Sequence, residues 1–143
     1  MKKITFKPKT DKFFLATLIS IAVIMLALTV LSAFYPISLI FSLPIDFIVF
    51  YMLISPLFGY VELREKTVFI KFGFVMKKEI PYRKIRGAEK DRKFYSESML
   101  ALKNAVEHVN IRYNAFDVVT VSVENNDVLI EELKKRVAPL NKT

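Results

Sequence analysis

The chain has 143 residues and a formal net charge of +8, from 22 Lys and Arg against 14 Asp and Glu. It contains no cysteine, which excludes disulfides and thiolate metal sites. A basic balance seeks nucleic acid or anionic lipid, and a long apolar block near the N-terminus selects lipid.

Met1 to Lys12 carries Lys2, Lys3, Lys7, Lys9 and Lys12 against Asp11 alone. It reads as a basic tail that the positive-inside rule keeps in the cytoplasm. From Phe13 to Phe58 the only formal charge is Asp46. A hydrocarbon core about 30 Å thick needs roughly 20 apolar residues in a helix. The block therefore predicts a membrane hairpin, with spans over 13–34 and 37–58 and a turn near Tyr35 and Pro36. A cleaved signal is disfavoured: the apolar run is about twice the length of a signal core, no small-x-small site follows, and a second apolar run does. Two spans put both tails on one side. The turn from Tyr35 to Leu43 has no Lys or Arg, as an outer turn should. The alternative is a single span with the second block lying in the interface, which would translocate five lysines. Pro44 suits the first turn of a helix starting near Leu43. That start leaves Asp46 near the outer interface, favouring the helix dipole. A start at Ile37 would instead bury it near mid-membrane, which is costly and points to a function. The first placement is the expected one.

After Gly59 the texture changes to strands. Tyr60–Arg64, Val68–Phe72 and Val75–Ile80 read as a meander with turns at Glu65–Thr67 and at Gly73 and Phe74. Pro81 ends the third strand, and 85–89 is a candidate fourth. Lys90 to Glu97 is charged and reads as a loop. Met99–Leu102 is a short apolar strand. Val106–Tyr113 alternates with one apolar face, and 116–123 is the most strand-like run, rich in Val and Thr. Glu124–Asp127 then opens a helix with Val128, Leu129, Leu133 and Val137 at helical spacing. Lys134, Lys135 and Arg136 suit its last turn, and Pro139 ends it. The domains are thus a tail 1–12, a membrane part 13–58 and a soluble part 59–143.

The predicted class is α+β: a transmembrane helical hairpin, then about seven antiparallel strands in a barrel or sandwich capped by a C-terminal helix. That order is similar to pleckstrin-homology (PH)-like folds. Ile80-Pro81-Tyr82-Arg83-Lys84-Ile85 resembles the IPYxxI segment of the bacterial PH-domain family of the sublancin immunity type. Ser98-Met99-Leu100-Ala101-Leu102 resembles its S-x-x-A-L segment. Val109–Tyr113, Val119–Ser122 and the helix at Leu129–Leu133 follow in the same order. Ser122-Val123 stands where the family usually has Ser-Pro, and Leu129 where it has Phe. The resemblance implies a cytoplasmic PH-like domain on a membrane anchor. It also implies self-immunity to a peptide bacteriocin, with that peptide or its membrane target as partner.

The sharpest local feature is basic: Lys77, Lys78, Arg83, Lys84, Arg86, Lys90, Arg92 and Lys93. Against the anionic inner leaflet each cation would contribute about 1 kcal/mol. Strand parity would split them between two faces and weaken the patch. The bland alternative is a solvated basic face. Catalysis has little support: Ser96 and Ser98 have no base set by a nucleophile motif, and Glu131 and Glu132 point about 100° apart on a helix. Gly59, Gly73 and Gly87 are scattered and form no phosphate loop. No cofactor, no metal and no nucleic acid is expected. His108, the one histidine, reads as structural. A membrane-tethered docking module is the alternative to immunity.

Overall fold

In a computed structural model, described over residues 2–96, 98, 101–102 and 105–141, two long helices precede most of the β-structure. Helix α1 spans Lys12–Ser32 and α2 spans Pro36–Phe58. At 1.5 Å per residue they measure about 31 and 35 Å, enough to cross a bilayer. Both are long and apolar enough to do so. Their large side chains, such as Val30, Leu31, Ile40 and Phe41, point outward without protein cover, as lipid-facing side chains do. The half-buried residues recur every three or four positions: Phe14, Leu18, Ala22, Met25, Thr29 and Ser32 on α1, and Leu39, Ser42, Asp46, Val49 and Leu53 on α2. That seam holds the pair together.

Helix α2 starts at Pro36 rather than near Leu43, with the proline at its first position, where a fixed φ and a missing N–H are harmless. Asp46 therefore lies about 15 Å along the helix, not in its first turn. The Thr29 hydroxyl donates to Asp46 Oδ2 at 2.6 Å across the seam. The contact satisfies one carboxyl oxygen, while Oδ1 is buried without a partner among the described residues. In a bilayer a carboxylate at such a depth would cost about 2.5–3.5 kcal/mol on insertion. Pro56, late in the helix, cannot serve the carbonyl of Met52. The Ser55 hydroxyl donates to it instead, at 3.3 Å, a common repair in membrane helices.

The first residues contain a strand where the sequence predicts only a tail. Strand β1 (Ile4–Phe6) pairs antiparallel with β2 (Tyr60–Leu63), Ile4 opposite Leu63 and Phe6 opposite Val61. Strands β3 (Thr67–Phe72) and β4 (Met76–Pro81) complete the sheet, in the order β1-β2-β3-β4. Beyond β1 the chain crosses towards the second sheet. Pro8 bridges Val123, the Lys9 N–H donates to the Ser122 carbonyl at 2.9 Å, and Asp11 Oδ2 accepts from the Val106 N–H at 2.8 Å. The helical hairpin is thus an insertion between two paired strands, and the domain is tied to it at two points.

A 3-10 turn at Tyr82–Lys84 leads from Pro81 into β5 (Ile85–Arg92). The second sheet runs β5-β7-β8-β6, with β6 at Ala101–Leu102, β7 at Glu107–Tyr113 and β8 at Asp117–Val121. Strand β6 is parallel to β8, so the sandwich is not wholly antiparallel. Met99 and Leu100 of the expected fifth strand lie outside the described residues. Strand β5 continues through Lys90–Arg92, a stretch that reads as loop. It is an edge strand with one face in water, so its charges are tolerated. The two sheets do not close into a barrel: β4 and β5 are both outer strands.

Helix α3 (Asn126–Val137) caps the sandwich and sends Leu129, Leu133 and Val137 into a core that includes Leu63, Ile70, Ile80, Ile111 and Val121. Beyond Val137 the chain continues as a 3-10 turn at Ala138–Asn141. The core reaches both faces of β7, where one apolar face is expected. Among its buried polar residues, Thr120 donates to Asn110 at 2.7 Å and His108 Nδ1 lies 2.9 Å from the Val106 carbonyl, while His108 Nε2 has no partner among the described residues.

Candidate membrane-facing site

Strand direction decides where the basic residues go. Strand β2 leaves the end of α2 through Gly59, β3 returns, and the β3–β4 turn arrives back beside α2. Tyr51 donates its hydroxyl to the Phe72 carbonyl at 2.8 Å. Phe74 packs edge-on against Tyr51 and Phe58, with ring centroids 5.1 and 5.9 Å apart. Gly73 makes this approach possible. Its φ is +70°, and a Cβ there would meet Ser55 Cβ and Tyr51 Oη at 2.9 Å. Both the backbone angle and the space demand glycine.

From that turn β4 runs away from the helices for about 17 Å, and after the corner β5 runs back for about 23 Å. Just beyond β5, Phe94 stacks on Phe14 at 5.1 Å and meets Phe13 edge-on at 5.9 Å, both in the first turn of α1. The domain therefore has a near end, touching both helices, and a far end.

The eight basic residues predicted from sequence do not form one patch. Lys77, Arg92 and Lys93 sit at the near end, whereas Arg83, Lys84 and Arg86 sit at the far end. Lys90 is engaged by two carboxylates, Glu107 at 2.7 Å and Asp127 at 3.1 Å. Glu107, then Asp127, raises the Lys90 pKa, and Lys90 in turn lowers that of Glu107. Lys93 pairs with Asp91 at 3.0 Å and lowers its pKa, helped by the Arg92 N–H. Lys78 turns to the core side of edge strand β4, opposite Ile70, and sets its ammonium 5.5 Å from the Tyr113 ring. There it guards an open sheet edge. Arg83, Lys84 and Arg86 carry no ion pair among the described residues and share a polar concavity with Asn114. Arg86 is the residue skipped where the β5–β7 register shifts.

Several residues of the near end escape the sequence reading. Lys71 stands directly opposite Lys77 on the outer face of the sheet, 5.8 Å from the Tyr60 ring. Like charges so placed repel unless an anion lies between them. Phe74, Val75 and Met76 are exposed at 53%, 70% and 47%. The legible signal was composition: turns favour Gly, Asn, Asp, Ser and Pro, and this one is apolar after its glycine.

The far end is locked by a buried guanidinium. Arg136 donates to the Arg64 carbonyl at 2.8 Å, the Lys2 carbonyl at 2.7 Å and the Tyr82 hydroxyl at 3.3 Å. Tyr82 itself donates to the Arg64 carbonyl at 2.7 Å, and burial raises its pKa. Between β5 and α3 lies a shallow, largely apolar groove of about 390 Å³, lined by Ile85, Gly87, Ala88, Leu133 and Val137. Among the described residues no group of three His, Asp or Glu is placed to hold a metal.

Two sheets at an open corner and a capping C-terminal helix define a PH-like sandwich, with a hairpin of two helices long and apolar enough to cross a membrane inserted after its first strand. Residues 59–137, more than half of the chain, match the bacterial PH domain family, and the chain belongs to it. No curated protein and no solved structure matches the chain. PH domains are in general interaction modules rather than catalysts. Strand β1 and the hairpin precede the matched segment.

Proposed function

We propose that this chain is a non-enzymatic, membrane-tethered PH-like protein that gives its cell immunity to a peptide bacteriocin of the sublancin kind, by occupying or shielding a target at the membrane. The observation that carries the reading is the double connection between domain and hairpin. A domain held at both Asp11 and Gly59 lies over the bilayer as a cover, where a single linker would let it swing away. Family membership and the resemblance at Ile80–Ile85 support the specific role. The lysines before α1 favour the cytoplasmic side. The test is survival: a sensitive bacterium expressing the full chain is grown in graded sublancin-like peptide. Continued growth where the control strain dies supports immunity. Full sensitivity, with the chain verified in the membrane fraction, refutes it.

A second reading rests on the far end. Arg83, Lys84 and Arg86, beside the 96% exposed Phe116, face away from the helices, where a protein partner has access and lipid does not. Under this docking reading, extraction in mild detergent returns a stoichiometric partner. Arg83→Gln combined with Arg86→Gln releases it.

A further inference from the structure

The near end of the domain carries apolar groups that its own core does not use. Phe74, Val75 and Met76 form the tip of the β3–β4 turn. Phe94 and Tyr95, exposed at 58% and 63%, follow β5. Both groups are fixed against the helices: the first through Tyr51 and Ser55 of α2, the second through Phe13 and Phe14 of α1. Tyr51 and Ser55 belong to the apolar stretch Pro36–Ser55 long enough to cross a membrane. The tip that packs on them shares their depth. Tyr51 lies seven residues before the end of α2, about 10 Å along its axis. Directly behind the tip stand Lys71 and Lys77, two facing cations with no carboxylate between them among the described residues. Arg92 and Lys93 stand just before Phe94. Apolar tips with cations one step behind are the order in which a bilayer presents acyl chains and then phosphates.

We infer that the β3–β4 turn and the Phe94–Tyr95 segment are seated in the interfacial layer of the leaflet on the domain side. Lys71, Lys77, Arg92 and Lys93 then lie against the phosphates of an anionic phospholipid bilayer. The inference rests on the reading that α1 and α2 cross the membrane. It adds that the domain has one fixed orientation on the lipid, with Arg83, Lys84, Arg86 and Phe116 turned away.

The absence of cysteine makes the test direct. Four single-cysteine variants of the full chain are spin-labelled and reconstituted in nanodiscs of phosphatidylcholine and phosphatidylglycerol: Ile24→Cys in mid-α1, Val75→Cys, Tyr95→Cys and Phe116→Cys. Collision with oxygen, which concentrates in lipid, is compared with collision with a water-soluble nickel chelate. Labels at 75 and 95 are expected to give an oxygen-to-nickel ratio severalfold above that at 116 and below that at 24. If 24 reads as lipid while 75 or 95 matches 116, the seated ends are refuted and the spans stand. If 24 itself reads as water, the spans and the seated ends fall together. No toxin enters the measurement, so its outcome is independent of the survival assay.

Discussion

The near and far ends of the sandwich carry similar charge in different company. At the near end Lys77 and Lys93 alternate with Val75, Met76 and Phe94, and the backbone is pinned to two helices. At the far end Arg83, Lys84 and Arg86 stand around a polar hollow, and the fold is tied by Arg136 to two carbonyls and a hydroxyl from three segments. Eight cations close in sequence thus do different jobs. What separates them is the direction of two strands, which carries neighbours in the chain to opposite ends of the domain.

The largest effect expected is on the near end. Gly73→Ala adds a Cβ at 2.9 Å from Ser55 and Tyr51 in a left-handed backbone. The conformation costs about 1–2 kcal/mol and the crowding about 1–3 kcal/mol. Amides around Phe72 and Met76 should exchange faster with deuterium, while those around Arg64 keep their protection. Equal loss at both ends would show that the ends are not independent. Next in size is Arg136→Leu, which removes charged donors from the Lys2 and Arg64 carbonyls. Roughly 1.5–3 kcal/mol of stability should go, read by chemical unfolding in detergent, with faster exchange now at the far end only.

A smaller effect belongs to neither end. Thr29→Val removes the hydroxyl that holds Asp46. Interhelical hydrogen bonds in membranes average about 0.6 kcal/mol and reach about 1.7 kcal/mol. The hairpin should therefore unfold at slightly lower denaturant, with exchange at both ends of the sandwich unchanged.

The smallest effect is a pH dependence at the far end. Glu62 accepts from Arg64 at 2.6 Å and pairs with Lys3 at 3.1 Å. Arg64 first, and then Lys3, holds its pKa below the usual glutamate value against the opposing effect of burial. A depressed carboxyl stabilises the fold above its unfolded-state pKa, and the contribution is lost as pH falls through the folded value. Acidification through and below the usual glutamate range should loosen Lys3, Glu62 and Arg64. The Gly73 turn, held by a phenol, a carbonyl and aromatic rings, should stay protected. Glu62→Gln should abolish the difference.

Much of the architecture was legible because its signals are local. Two apolar stretches wrote the hairpin, alternation wrote β2, β3, β4, β7 and β8, and the Leu129–Leu133–Val137 spacing wrote α3. What escaped depends on distant partners. Strand β1 has three residues between lysines, and its partner lies beyond the whole membrane block. The charged half of β5 reads as loop because only its edge position makes those charges acceptable. Pro44 suggested a helix start since proline fits there, yet apolar continuity from Pro36 outweighed it. The basic cluster was visible as composition. Its division was not, because the corner at Tyr82–Lys84 sets it.

The insertion of the hairpin between β1 and β2 also dictates an order of assembly. Ile4–Phe6 emerges from the ribosome long before its partner Val61–Leu63, and must wait while both helices are made. Had only one helix crossed, β1 and β2 would be left on opposite faces, and Phe6 would be missing from the core. If the two helices cross a membrane, the finished sandwich proofreads its own anchor: a chain with the wrong number of crossings cannot complete its first sheet, and should be left open to proteolysis.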